Sequence, residues 1–205
     1  MQRVIAYIDG FNLYFGLRGQ GWRRYYWLDV HGMAASLLRP DQRMAAAHYF
    51  TARIRDNGRN AADRLRQNTY IDGLAERGVT IHQGHFLEKR RQCRNCQKSW
   101  PDYEEKMTDV NIAIQLLVDA FDDRYDTALL VSGDSDLTTP VLRVRERFPD
   151  KRVVVVFPPG RQSEQLKRAA NGHLIIGEDK LRQNQLPEEI PTARGHVLRR
   201  PEHWR

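Results

Sequence analysis

Residues 152–157 read Arg-Val-Val-Val-Val-Phe. A strand with one face in water alternates apolar and polar residues. An unbroken β-branched run fits a strand covered on both faces, and such strands belong to parallel sheets flanked by helices. RVIAYI at 3–8 and TALLV at 127–131 have the same character. Segments of helical period lie between these runs. The alternation predicts an α/β domain around a mostly parallel sheet. At 205 residues the chain is long enough to bury such a core without disulfides.

Further strands are expected at 44–54, 79–86 and 173–176. Helical segments are expected at 12–17, from a cap at Asp29 to 38, at 60–77, 108–123 and 137–147, after Ser163, and at 178–183. The segment 108–123 has the clearest period. Val110, Ala113, Ile114, Leu117, Ala120 and Phe121 recur at the spacing of one helix face and are expected to be buried. Residues 88–105 are polar and read as a basic, irregular insertion carrying a CxxC. Residues 184–205 contain Pro187, Pro191 and Pro201 with little periodicity and read as a loosely ordered tail. The expected organisation is one domain over 1–183 followed by that tail.

No apolar stretch approaches the roughly 20 residues that span a bilayer, and MQRVIAYIDG lacks a signal-peptide layout. Two cysteines suit a reducing, cytoplasmic setting. The net charge is +7 and the isoelectric point about 9.6, which favours polyanionic partners. Against that basic background, four aspartates stand where an α/β sheet would gather them. Asp9 ends the first apolar run, Asp134 and Asp136 follow the 127–131 run, and Asp109 opens the 108–123 helix. Ligands of open α/β sheets bind beyond the carboxyl ends of the strands, where strand order reverses. Carboxylates clustered there repel one another, and Mg²⁺ or Mn²⁺, which prefer oxygen ligands, would offset the charge. Each aspartate also has an ordinary use: Asp9-Gly10 as a turn, Asp134 and Asp136 as helix caps, Asp109 as a complement to a helix dipole.

Two other segments carry chemistry. RGQGWRRYYWL interleaves Arg18, Arg23 and Arg24 with Trp22, Tyr25, Tyr26 and Trp27. Such rings can stack on unpaired bases while the arginines meet phosphates. Trp27 is read instead as core or as part of a homodimer interface. The insertion carries Lys89, Arg90, Arg91 and Arg94 around Cys93 and Cys96, a second candidate grip on a phosphate backbone. His82 and His85 with the two cysteines would complete four zinc ligands. Their odd spacing within one strand puts the histidines on opposite faces, so the cysteines are read as free thiols. A Zn²⁺ shared between chains stays open. Glycine-rich dinucleotide and P-loop signatures are absent, as is a nucleophile elbow.

YIDGFNLY, EKMTDVNIAIQLL and LLVSGDSDLTTPV, in that order, resemble the NYN domain, a branch of the PIN-like nuclease superfamily. The resemblance covers most of 3–177. It implies a PIN-like three-layer α/β/α fold, an acidic site holding Mg²⁺ or Mn²⁺, and cleavage of RNA. Asp9, Asp109, Asp134 and Asp136 match the family's acidic positions; Asn12, Lys106 and Ser132 match its accompanying polar ones. On that basis Asp9 and Asp134 are expected as direct metal ligands, and Asp109 and Asp136 as direct ones or through water. Asn12 would orient a carboxylate or the phosphate, Lys106 would neutralise carboxylates or meet phosphate, and Ser132 would orient Asp134. The expected activity is metal-dependent endoribonuclease action on single-stranded RNA. The alternatives are a non-catalytic RNA-binding module and an NADH-linked hydroxylase of pyridine-type rings, a reaction attributed to some such relatives.

Overall fold

The structure is a computed structural model. It describes every residue except Arg94, and describes the backbone alone at 86–91 and 100–106. The strands are β1 (Gln2–Asp9), β2 (Gln42–Thr51), β3 (Thr80–Gln83), β4 (His85–Gln92), β5 (Ser99–Lys106), β6 (Thr127–Val131), β7 (Arg152–Phe157), β8 (Gly172–Ile175), β9 (Glu189–Pro191) and β10 (Val197–Arg199). The helices are α1 (Gly10–Gly19), α2 (Val30–Ala35), α3 (Ala61–Glu76), α4 (Thr108–Phe121), α5 (Thr138–Arg147), α6 (Glu164–Ala169) and α7 (Glu178–Gln183).

Six strands form one sheet in the order β3-β2-β1-β6-β7-β8, every pair parallel. Strand order reverses between β1 and β6, so the crevice beyond Asp9 and Val131 is the switch point of a doubly wound sheet. Side chains alternate through the sheet as the apolar runs require. Val4, Ala6 and Ile8 of β1 and Val156 of β7 enter one core with Leu13 and Leu17 of α1, Met33 of α2 and Leu74 of α3. Ile5 and Tyr7, with Val153 and Val155, enter the other with Ile112, Val141 and Leu166 of α4, α5 and α6. The three layers expected from sequence are therefore present. Among the described residues no helix is long and apolar enough to cross a membrane.

Four local expectations differ from the fold. The strand expected over 79–86 ends at Gln83, and within the segment expected to be irregular His85–Gln92 and Ser99–Lys106 pair as the antiparallel hairpin β4-β5. The segments HFLEKRRQ and SWPDYEEK lack the regular apolar–polar alternation that reveals a strand. The third difference is the phase of α4. Ile112, Leu116, Asp119 and Ala120 face inward, while Val110, Ile114 and Phe121 are exposed. This helix is apolar on most of its circumference, so its period fits more than one orientation. The inward one lets Asp119 meet the Tyr7 hydroxyl at 2.8 Å. Fourth, residues 184–205 are not loosely ordered. Leu186, Ile190 and Trp204 join the first core, β9 pairs with β10, and the Trp27 indole donates to the Pro187 carbonyl at 2.8 Å. Widely spaced anchors need no helical or strand period.

Candidate functional site

Asp9 is the last residue of β1 and the N-cap of α1. Its Oδ1 accepts from the Asn12 backbone N–H at 2.9 Å, and its Oδ2 accepts from the Ser132 hydroxyl at 2.9 Å. Only 3% of Asp9 is exposed. The turn after β6 is tied into the same set: Ser132 Oγ accepts from Asp134 N–H at 3.1 Å, and Asn12 Oδ1 from Gly133 N–H at 2.9 Å. Asp134 in turn caps the following helical turn, accepting from Asp136 N–H at 2.9 Å. Capping and site placement are thus one arrangement, because helices that begin at strand ends put their capping carboxylates in the crevice. Glycines allow the close approach. A Cβ on Gly10 would sit 2.6 Å from the Tyr49 ring, and one on Gly133 would sit 2.5 Å from the Arg161 carbonyl. Burial, and then the charge of Asp9, raise the pKa of the Tyr49 phenol, so the hydroxyl beneath Gly10 stays protonated.

Asp9, Asp109 and Asp134 line one cavity of about 180 Å³, together with Phe11, Asn12, Phe15, Thr108 and Arg161. Asp136 is exposed and does not line it; its backbone holds Asp134 instead. Ser132 bonds the Asp9 carboxylate and the Asp134 backbone, not the Asp134 carboxylate as expected from sequence. The Lys106 side chain lies outside the described residues, as do those of Lys89, Arg90 and Arg91 and the whole of Arg94. Among the described residues no three acidic, His or Cys side chains converge tightly enough to enclose a bare ion. The donor set is nevertheless all oxygen, and at about 30 Å³ per water the cavity admits a small cation with several waters. That suits Mg²⁺, which keeps its water and binds through one or two carboxylates.

Sequence reasoning missed four lining residues: Phe11, Phe15, Thr108 and Arg161. Phe11 sits on α1 within the motif that carries Asp9, and Phe15 follows it on the same helix. Arg161 follows Pro158-Pro159-Gly160 directly after β7, and strand-end loops were the available signal.

The expected aromatic platform is largely interior. Tyr25 is buried, its hydroxyl donating to Glu178 at 2.7 Å, and Trp22 packs edge-on against it. Arg24 pairs with the same Glu178 at 2.7 Å. Tyr25 is therefore not presented to a nucleic acid, whereas Arg18, Arg23 and Arg24 are exposed. The zinc set does not assemble either. His82 stacks on Phe50 and shares a 2.9 Å hydrogen bond with His48, and His85 is exposed. Backbone N–H groups of Cys96 and Asn95, then the Cys96 side chain, bond the Cys93 sulfur and lower its pKa.

The NYN domain family model matches residues 3–177. The 6-hydroxy-3-succinoylpyridine 3-monooxygenase HspA of Pseudomonas putida (strain DSM 28022 / S16) is 28% identical over 98% of this chain and 75% of its own length. The crystal structure of VPA0982 from Vibrio parahaemolyticus RIMD 2210633, a protein of unknown function, superposes with a TM-score of 0.56 at 22% identity. It covers 87% of this chain and 94% of its own. That likeness speaks to the fold.

Proposed function

The chain belongs to the NYN domain family, whose fold is of nuclease type, and from that premise we propose that it is a metal-dependent endoribonuclease acting on single-stranded RNA. One observation carries the reading: three aspartates from three separate elements line a single strand-end cavity whose mouth holds an arginine. Asp9, Asp109 and Asp134 would hold Mg²⁺ or Mn²⁺. When bound, such an ion supplies charge stabilisation at the attacking and leaving oxygens of a phosphodiester and acidifies water. The chain's own residues do the rest. Ser132 and the Asn12 N–H keep the Asp9 carboxylate in one orientation. Asn12 Oδ1 fixes the Gly133 turn, and Asp136 N–H fixes Asp134. Arg18 and Arg23, with the basic residues of the β4-β5 hairpin, would attract the backbone.

The purified protein should cut single-stranded RNA with Mg²⁺ or Mn²⁺ and not in EDTA. Asp134→Asn should lose cleavage while keeping its circular dichroism, and Ser132→Ala should lose about 10- to 100-fold, as outer partners of metal ligands do. RNA that binds but stays intact under all these conditions would leave a non-catalytic module.

A second reading has its own support, the 28% identity to a protein named as a pyridine monooxygenase. It predicts NADH consumption with a hydroxylated pyridine substrate and no cleavage of RNA. Cleavage dependent on Asp134, without NADH consumption, would discard it.

A further inference from the structure

Arg161 occupies an unusual position. It is exposed at the mouth of a cavity lined by three aspartates, yet among the described residues its guanidinium makes no ion pair. Its guanidinium lies over the Phe15 ring, whose centroid is 5.7 Å away, a loose cation–π contact. The guanidinium's planar fork of N–H donors is thus left open, and that fork is suited to phosphate.

The backbone under it is firmly placed. Pro158 and Pro159 restrict their own φ angles, Gly160 turns at φ +66°, and Arg161 N–H closes the turn on the Pro158 carbonyl at 3.0 Å. The turn is wedged between two glycines. A Cβ at Gly16 would meet the Pro159 carbonyl at 2.9 Å, and one at Gly133 would meet the Arg161 carbonyl at 2.5 Å. Gly133 belongs to the turn that carries Asp134. The arginine is thereby fixed beside the acidic wall of the cavity, and no ion pair among the described residues accounts for it.

Phe15 is the matching apolar half. It lines the same cavity and remains 40% exposed, with Tyr14 packed edge-on at 5.3 Å. A large apolar ring left open beside a fixed cation suits a ligand unit that is aromatic at one end and anionic at the other. We infer that Phe15 and Arg161 form a one-nucleotide subsite, Phe15 stacking on an unpaired base and Arg161 gripping the phosphate next to the scissile one. This rests on the nuclease reading of the cavity and deepens it. Selection of single strands would then come from the site itself, since a paired base cannot leave its neighbours to lie on the ring.

The test uses a fluorescent single-stranded RNA octamer and an abasic octamer of equal charge, bound in EDTA so that nothing turns over. Phe15→Leu keeps an apolar side chain and removes the ring. It should weaken binding of the intact octamer about tenfold or more and leave the abasic one unchanged, and Phe15→Trp should restore binding. Arg161→Gln should weaken both octamers alike and lower the salt slope by about one. Equal binding of the intact octamer by Phe15→Leu and the parent would overturn the subsite, as would an unchanged salt slope in Arg161→Gln. The two readings fail separately. A parent that cuts RNA while both variants keep its KM discards the subsite alone. Phe15-dependent binding without cleavage under Mg²⁺ or Mn²⁺ discards the hydrolysis alone. A parent that binds neither octamer discards both.

Discussion

Mild acid should weaken this protein through one histidine. His48 lies on β2 with its ring stacked on Tyr7 at 5.5 Å. Its Nδ1 is 2.9 Å from His82 Nε2, and its Nε2 is 3.7 Å from the buried Asp119 carboxylate. Burial, then the neighbouring His82, push its pKa down from 6.5 to about 4; Asp119 pulls the other way and Arg124 adds to the lowering. Folded His48 is therefore neutral between those two values, while the unfolded chain binds a proton there. Stability rises with pH through that window and is lost as pH falls from 6.5 towards 4. Integrating the difference gives a loss of about 2 kcal/mol between pH 7 and pH 4.5 from this residue. Burial also lowers the pKa of His82, which adds loss in the same direction. Urea denaturation at the two pH values measures it. His48→Gln keeps a hydrogen-bonding side chain but cannot titrate, so its loss should be smaller than the parent's by about that 2 kcal/mol. Equal losses in parent and variant would refute the reasoning, as would an NMR titration of His48 with a midpoint near 6.5.

Gly133→Ala should displace the Arg161 turn, because its Cβ has only 2.5 Å to the Arg161 carbonyl. Overpacking of this kind costs about 1–3 kcal/mol, and the melting temperature and cleavage rate should both fall. Trp204 packs against Tyr26, Trp27 and Tyr70, so Trp204→Ala should cost about 3 kcal/mol by urea denaturation; a neutral result would mean the tail does not stabilise the core. Asp9→Asn should abolish any rise in melting temperature caused by Mn²⁺ while the protein stays folded. Cys93→Ser with Cys96→Ser should leave cleavage of short RNA intact, and zinc close to one per chain in the parent, lost in that variant, would contradict the reading of free thiols.

The layers of the fold were legible in the sequence because burial on both faces leaves its mark residue by residue. RVVVVF fitted a two-sided strand, and its alternate valines do enter opposite cores. The acidic positions could be located for a related reason: a residue that ends an apolar run ends a strand, and parallel strands end on one side. Asp9 and Asp134 were thereby placed near each other before any coordinates. What only tertiary structure decided was orientation and company. The sequence of α4 is apolar nearly all round, so docking, together with the Tyr7–Asp119 bond, chose which side faces in. Tyr25 and Trp22 looked like a stacking surface, but long-range packing from Glu178 and the C-terminal segment draws Tyr25 inward. Arg161 and Phe15 stand 146 positions apart, and no local period relates them. Their meeting at the acidic cavity depends on two glycines thin enough to let one turn press against α1 and the Asp134 turn.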